Sequence, residues 1–192
     1  LLDFVATVAE AGCSVFIVHA RKAWLQGLSP KENREVPPLN YPWVYQLKAD
    51  LPHLSIVLNG GIQTLEQCKS HLAQVDGVMM GREAYQNPWL LAQVDRELFG
   101  MDNPTLSRDD IQVALLEYVE QQLTRGVHLN HITRHILGLY QGVPGARKFR
   151  RHISENAYKK NAGLEVLTGA FALVGGVDGP RQSASAQAMR NA

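Results

Sequence analysis

The sequence predicts an α/β protein: the C-terminal part of a (β/α)8 TIM barrel over residues 1–100, then a small all-helical domain over 101–175 and a disordered tail over 176–192. Three observations carry this. Three short apolar runs each end in a polar residue or glycine, at "FIVHA", "IVLNGG" and "VMMGR". Polar loops and helical stretches separate them, which is the rhythm of right-handed βαβ units in a parallel sheet. Beyond about residue 100 only helical periodicity remains.

Taken in order, "LLDFVATVAEAG" has a helical pattern through Leu2, Phe4 or Val5, Val8 and Ala9, with Gly12 as its C-terminal stop. "CSVFIVHA" is a continuous β-branched and aromatic run, as expected of a strand buried on both faces. A polar loop follows over residues 21–40, then "YPWVYQLKAD" reads as a helix with Pro42 in its first turn. "LSIVLNGG" is the second strand. "TLEQCKSHL" is a helix whose Thr64 and Gln67 have capping-box spacing, and "GVMMGR" is the third strand. An open doubly wound sheet is the competing arrangement. The barrel is favoured because phosphate commonly binds after its seventh and eighth strands, where "NGG" and "GR" would sit, and because the Rossmann GxGxxG is absent. About 100 residues of a typical ~250-residue barrel are then present, so the chain, which opens on Leu1, is expected to be cut from something longer.

In the second part, Ser107 is an N-cap with Asp110 three residues on, and Ile111, Ala114, Leu115 and Val119 form an apolar face. Further helices are expected over residues 130–141, 144–156 and about 158–174. From Gly175 the chain is small and polar.

Charge sorts along the chain. Residues 121–160 hold eight Lys or Arg against the single acid Glu155, a balance of +7 inside a total of +1. Such a concentration is the footprint of phosphate-backbone binding, and a merely solvated helix face is the bland reading. In "GVPGARKFRRHIS", Arg147, Lys148, Arg150 and Arg151 crowd the positive end of a helix starting at Pro144, which an anionic partner would relieve. His128, His131 and His135 have spacing for one helical face. Metal binding there is disfavoured, since no Cys, Asp or Glu completes a set. The two cysteines, Cys13 and Cys68, have no metal or redox spacing. No apolar run reaches the ~18–20 residues of a membrane span and no signal-peptide pattern opens the chain, so a cytoplasmic protein is expected.

Glycines 60, 61 and 81 at strand ends let backbone amides close on a ligand phosphate, and Arg82 adds a bidentate cation. Asn59 and His19 end their strands and would point into the barrel mouth. A buried histidine bonded to a carbonyl is the plainer reading of His19. By residue chemistry alone, the ligand is phosphorylated and is equally a cofactor or a substrate.

"FIVHARKAWLQGLSPKENREVPPLNYPWVYQLK", "NGGI", "VDGVMMGREAYQNPWLL" and "GVPGARKFRRHIS" together resemble the C-terminal part of bacterial tRNA-dihydrouridine synthases of the A subfamily, through most of residues 1–174. The resemblance implies a flavoprotein that binds FMN through His19, Asn59, Gly60, Gly61, Gly81 and Arg82, the last four holding the phosphate. It implies tRNA contacts at Lys31, Arg34, Arg147, Lys148, Arg150 and Arg151. It also implies NADPH as reductant and reduction of the C5–C6 double bond of D-loop uridines at positions 20 and 20a, with hydride going to C6 and a proton to C5. The family's proton donor, a cysteine, and an assisting lysine lie in the first half of the barrel, so this chain alone is expected to be inactive. Cys13 and Cys68 do not replace the donor, and no catalytic residue is assigned within the chain. No metal, membrane or protein partner is expected. Two other readings stand beside this one: a non-catalytic tRNA-binding remnant, and another FMN barrel reductase acting on a small pyrimidine. The cationic helical region disfavours the second.

Overall fold

A computed structural model describes residues 1–24, 26–102 and 106–175. The described chain divides into two compact units, one of residues 1–85 and 93–102, the other of residues 86–92 and 106–175. Segment 86–92 therefore belongs with the helical unit, although it precedes the last helix of the first. The expected disordered tail, 176–192, lies outside the described residues.

In the first unit, helix α1 (Leu2–Glu10) ends where Gly12, at φ +99°, donates its N–H to the carbonyl of Ala9 at 2.9 Å. Strand β1 (Val15–His19) follows. Loop 21–40 contains a 3₁₀ turn, Glu32–Arg34, and its ends are joined by an antiparallel bridge between Arg21 and Leu39. Helix α2 (Tyr41–Asp50) is capped by the Asn40 side chain, which accepts from the N–H of Trp43, and Pro42 sits in its first turn. Strand β2 (Ser55–Asn59) leads to helix α3 (Leu65–Leu72), which has the full Thr64–Gln67 capping box. Strand β3 (Gly77–Met79) and helices α4 (Arg82–Gln86) and α5 (Val94–Phe99) follow, while the 3₁₀ segment between the two helices, Pro88–Gln93, belongs almost wholly to the second unit.

The sheet is parallel in the order β1-β2-β3, with His19 opposite Asn59 and Asn59 opposite Met79. Val18, Ile56 and Leu58 are buried in one cluster with Val5, Val44, Leu47 and Cys68, and Phe16 and Val78 pack against it. At roughly 1.5–3 kcal/mol per fully buried aliphatic side chain, this cluster is what holds the strand ends in place. The expectation of strands buried on both faces is corrected here. Helices cover one face only, and alternate residues on the other, Val15, Ile17 and Met79, are 57%, 60% and 41% exposed.

The second unit contains α6 (Arg108–Thr124), α7 (Leu129–Thr133), α8 (Ala146–Asn156) and α9 (Leu164–Ala172) around a core of Val119, Tyr140, Phe149, Ile153, Leu167 and Phe171. Ser107 and Asp110 form a capping box on α6, but Ala114 is exposed and Leu116 packs towards the core. The helix expected over 130–141 stops at Thr133, and turns follow. Gly138 lies in these turns, and a Cβ there would sit 1.9 Å from the carbonyl oxygen of Gln86. Helix α8 begins at Ala146, after Pro144; its N-cap Gly145 stands at φ +87°, and a Cβ there would clash with the carbonyl of Leu173. Residues 158–163 are turn and not helix. Among the described residues no helix is long and apolar enough to cross a membrane.

Candidate functional site

Register puts the first group of site residues together. His19 and Asn59 end adjacent strands as Cα partners, and the N–H of Ala20 donates to the carbonyl of Asn59 at 2.8 Å. His19 is exposed, so it is not the buried, carbonyl-bonded histidine of the plainer reading. Partial shielding by the strand ends, then the guanidinium charges of Arg21 and Arg82, hold its pKa below the usual histidine value, which keeps the imidazole neutral near pH 7.

The two glycines after Asn59 have a reason inside the chain. Gly60 is buried at φ +123°, and a Cβ there would lie 3.0 Å from Leu39 Cδ2 and 3.3 Å from His19 Cε1. At Gly61, φ +70°, a Cβ would lie 2.5 Å from Leu39 Cδ1 and 3.2 Å from Tyr41 Oη. Tyr41 donates its hydroxyl to the carbonyl of Gly60 at 2.9 Å. Loop 21–40 thus returns over the glycine pair, and the positive φ at both positions together with the close Leu39 and Tyr41 side chains favours glycine. Gly81 differs: no atom lies within 4 Å of its ideal Cβ position, and its φ is not left-handed. Among the described residues, the N–H groups of Gly60, Gly61 and Gly81 donate to no backbone carbonyl. Free amides beside an arginine are what an anion cradle requires, so the residues present fit a phosphate.

Arg82 is half-exposed and engaged by the loop. Its Nη1 pairs with Glu35 Oε1 at 3.1 Å and its Nη2 donates to the carbonyl of Arg34 at 3.4 Å. Arg21 Nη1 donates to the carbonyls of Glu35 and Pro37, while its Nε is buried without a partner among the described residues. Asn33 bonds the Trp24 backbone twice, accepting from its N–H at 2.7 Å and donating to its carbonyl at 2.9 Å. These contacts shape the exposed turn that carries Lys31 and Arg34. Sequence reasoning missed Arg21, Glu35 and Tyr41. Their residue types carried no signal, because their roles depend on a loop returning across three strand ends.

The cysteines lie elsewhere. Cys68 is fully buried in α3 with its thiol pKa pushed up by burial, and its Sγ is 3.5 Å from Met80 Sδ. Cys13 precedes β1, at the opposite strand end from His19.

In the helical unit, Phe149 and Ile153 bury one face of α8, while Arg147, Lys148, Arg150 and Arg151 are exposed. Arg151 is paired with Glu155 at 2.8 Å, which corrects the expectation of four unrelieved cations. Arg147, Lys148 and Arg150 make no ion pair among the described residues. The three histidines do not share a helix, since His128 caps α7 and His135 lies beyond its end. The rings of His128 and His131 meet edge to face at 5.8 Å. Among the described residues no group of three or more ligand-type side chains converges on a metal position.

The model of the family described as "Dihydrouridine synthase (Dus)" matches residues 1–173. The chain belongs to the dihydrouridine synthase family. It is 58% identical over 175 residues to the tRNA-dihydrouridine(20/20a) synthase of Vibrio cholerae serotype O1, covering 91% of this chain and 54% of that protein. The protein of the same description from Yersinia pestis is 61% identical over 175 residues, with 91% and 51% covered. That of Salmonella typhimurium is 59% identical over 177 residues, with 91% and 53% covered. The chain spans about half the length of the curated relatives it matches.

Proposed function

We propose that this chain supplies the phosphate end of the flavin site and the tRNA-binding helical unit of a cytoplasmic tRNA-dihydrouridine synthase, an oxidoreductase that reduces D-loop uridines at positions 20 and 20a with NADPH. The observation that carries the reading is the strand-end group of His19, Asn59, the free amides of Gly60, Gly61 and Gly81, and Arg82. The open sheet face, with Val15 and Ile17 exposed, supports assigning the three strands to a (β/α)8 barrel whose interior they would line.

Bound FMN would supply the hydride for C6 of the uracil. The chain's own contribution is binding and orientation. The amides and Arg82 hold the cofactor phosphate, with Glu35 as the group that must yield or share the guanidinium. Asn59 presents an amide in the mouth, and neutral His19 offers one ring nitrogen as donor and the other as acceptor. Lys31 and Arg34, exposed on the loop, and Arg147, Lys148, Arg150 and Arg151 on α8 bind the tRNA. Among the described residues, neither cysteine stands at the strand ends that carry His19 and Asn59, so neither serves as the proton donor to C5. Cys68 is buried and Cys13 sits at the far strand end, so the chain alone does not turn over uridine.

The test is mass spectrometry of D-loop fragments after incubating the full-length protein with unmodified tRNA, NADPH and FMN. A gain of two hydrogens on a D-loop uridine supports the reading. Binding of tRNA without that gain would leave a non-catalytic tRNA-binding protein.

A further inference from the structure

A cleft of about 370 Å³ lies in the helical unit where the end of α8, the turn after it and the start of α9 meet, lined by His152, Asn156, Lys159, Asn161, Glu165 and Val166. Its size is that of a small-molecule site. Val166, buried, gives it an apolar base, and His152 is held against α9 at Gly169, where a Cβ would lie 3.1 Å from His152 Nε2.

The polar groups of this cleft divide into fixed and free. Asn156 is held at both ends: its Nδ2 donates to the carbonyl of His152 at 2.7 Å and its Oδ1 accepts from Lys159 Nζ at 2.7 Å. Glu165 Oε1 accepts the N–H of Gly163 at 2.8 Å, and this bond holds its carboxyl below the usual range, so it is ionised. Asn161, by contrast, is exposed and its side chain makes no hydrogen bond among the described residues, leaving a donor pair and an acceptor for a ligand.

This mixture discriminates between ligand classes. A phosphate would face the Glu165 carboxylate, and a cation would face Lys159 within a strongly basic segment. A flat heterocycle with donors and acceptors along its edge suits both. The cleft also continues the cationic surface: Lys148, His152 and Asn156 stand at i, i+4 and i+8 on α8, so a strand whose phosphates lie along Lys148 has the cleft beside it. Phosphate contacts position a nucleic acid, whereas edge contacts in such a pocket read a base.

We propose that this cleft takes one unstacked nucleobase of the bound tRNA, with Asn161 and Glu165 reading its edge. The inference rests on the tRNA-binding reading of the helical unit. The test is a titration of unmodified tRNA against the 192-residue chain, followed by fluorescence anisotropy at several salt concentrations, with Asn161→Ala, Glu165→Gln and Arg147→Ala compared. Because the Asn161 side chain bonds nothing among the described residues, its truncation leaves the fold intact.

Asn161→Ala is expected to weaken binding about three- to tenfold with the salt slope unchanged, since a base contact releases no counterion. Glu165→Gln keeps an acceptor for Gly163 and is expected to shift affinity in the same slope-independent way. Arg147→Ala is expected to lower the slope by about 0.7–0.9. Wild-type affinity in both cleft variants, or a slope change like that of Arg147→Ala, would overturn the base-reading role. If wild-type chain shows no salt-dependent affinity for tRNA at all, the tRNA reading itself fails, and the cleft proposal with it.

Discussion

Replacing Gly61 with alanine separates what the fold demands of the glycine pair from what a ligand demands. At φ +70° an L side chain costs about 1–2 kcal/mol. The new Cβ would lie 2.5 Å from Leu39 Cδ1, forcing that side chain off its rotamer for roughly another 0.5–1.5 kcal/mol. It would also lie 3.2 Å from Tyr41 Oη, whose 2.9 Å bond to Gly60 is worth about 1 kcal/mol if displaced. Together these give about 2.5–4.5 kcal/mol. For a unit of this size that corresponds to a fall in melting temperature of about 10–35 °C. Circular dichroism melts of the 192-residue chain measure it, with Gly81→Ala as the companion. No atom lies within 4 Å of the Gly81 Cβ position, so that variant is expected to stay within about 0.5 kcal/mol of wild type. In the full-length protein it is expected to weaken flavin binding if the Gly81 amide takes part in the proposed phosphate site. A Gly61→Ala chain as stable as wild type would refute the packing argument. A strongly destabilised Gly81→Ala would refute the contrast.

Three further outcomes follow from the contacts. Glu35→Gln releases Arg82 from an exposed ion pair worth about 0.2–1 kcal/mol, so flavin fluorescence quenching in the full-length protein should show FMN binding about two- to fivefold tighter; weaker binding would mean that Glu35 orients Arg82 for the phosphate. Asp76 bonds Lys48 Nζ at 2.8 Å and the Ile56 N–H at 2.8 Å, and these partners depress its pKa. Its contribution is therefore present above the ordinary aspartate pKa of about 3.9 and lost as pH falls through the lower folded value. Asp76→Asn should cost about 1–2 kcal/mol at pH 7 in urea denaturation and flatten the acid limb; an unchanged limb would sink the assignment. His71 is buried, with its Nδ1 2.6 Å from Tyr45 Oη, and burial lowers its pKa. Below about pH 6.5 the unfolded chain takes up a proton that the folded chain resists, so stability should fall with pH there, and His71→Gln should lessen that slope in the same urea series.

Elements with local causes were legible in the sequence. The α3 and α6 capping boxes, Pro42 in the first turn of α2 and the Gly12 stop depend on neighbours within a few residues. Strand ends at His19 and Asn59 were legible for the same reason, since an apolar run must stop where polar groups begin. The expectation of a helix over 130–141 took no account of Gly138, which packs against the carbonyl of Gln86 some fifty positions earlier, a contact that no local pattern records.

By itself the sequence determined the residue types a phosphate cradle and a cationic helix need, and their spacing, because glycines, arginines and caps act through their own backbone or charge. Tertiary structure alone decided what those residues face. It placed Glu35 on Arg82, set Leu39 and Tyr41 over Gly60 and Gly61, paired Arg151 with Glu155, and left one sheet face open. Each of these joins groups through space, and the free energy of such contacts depends on distance and burial that only the folded chain fixes.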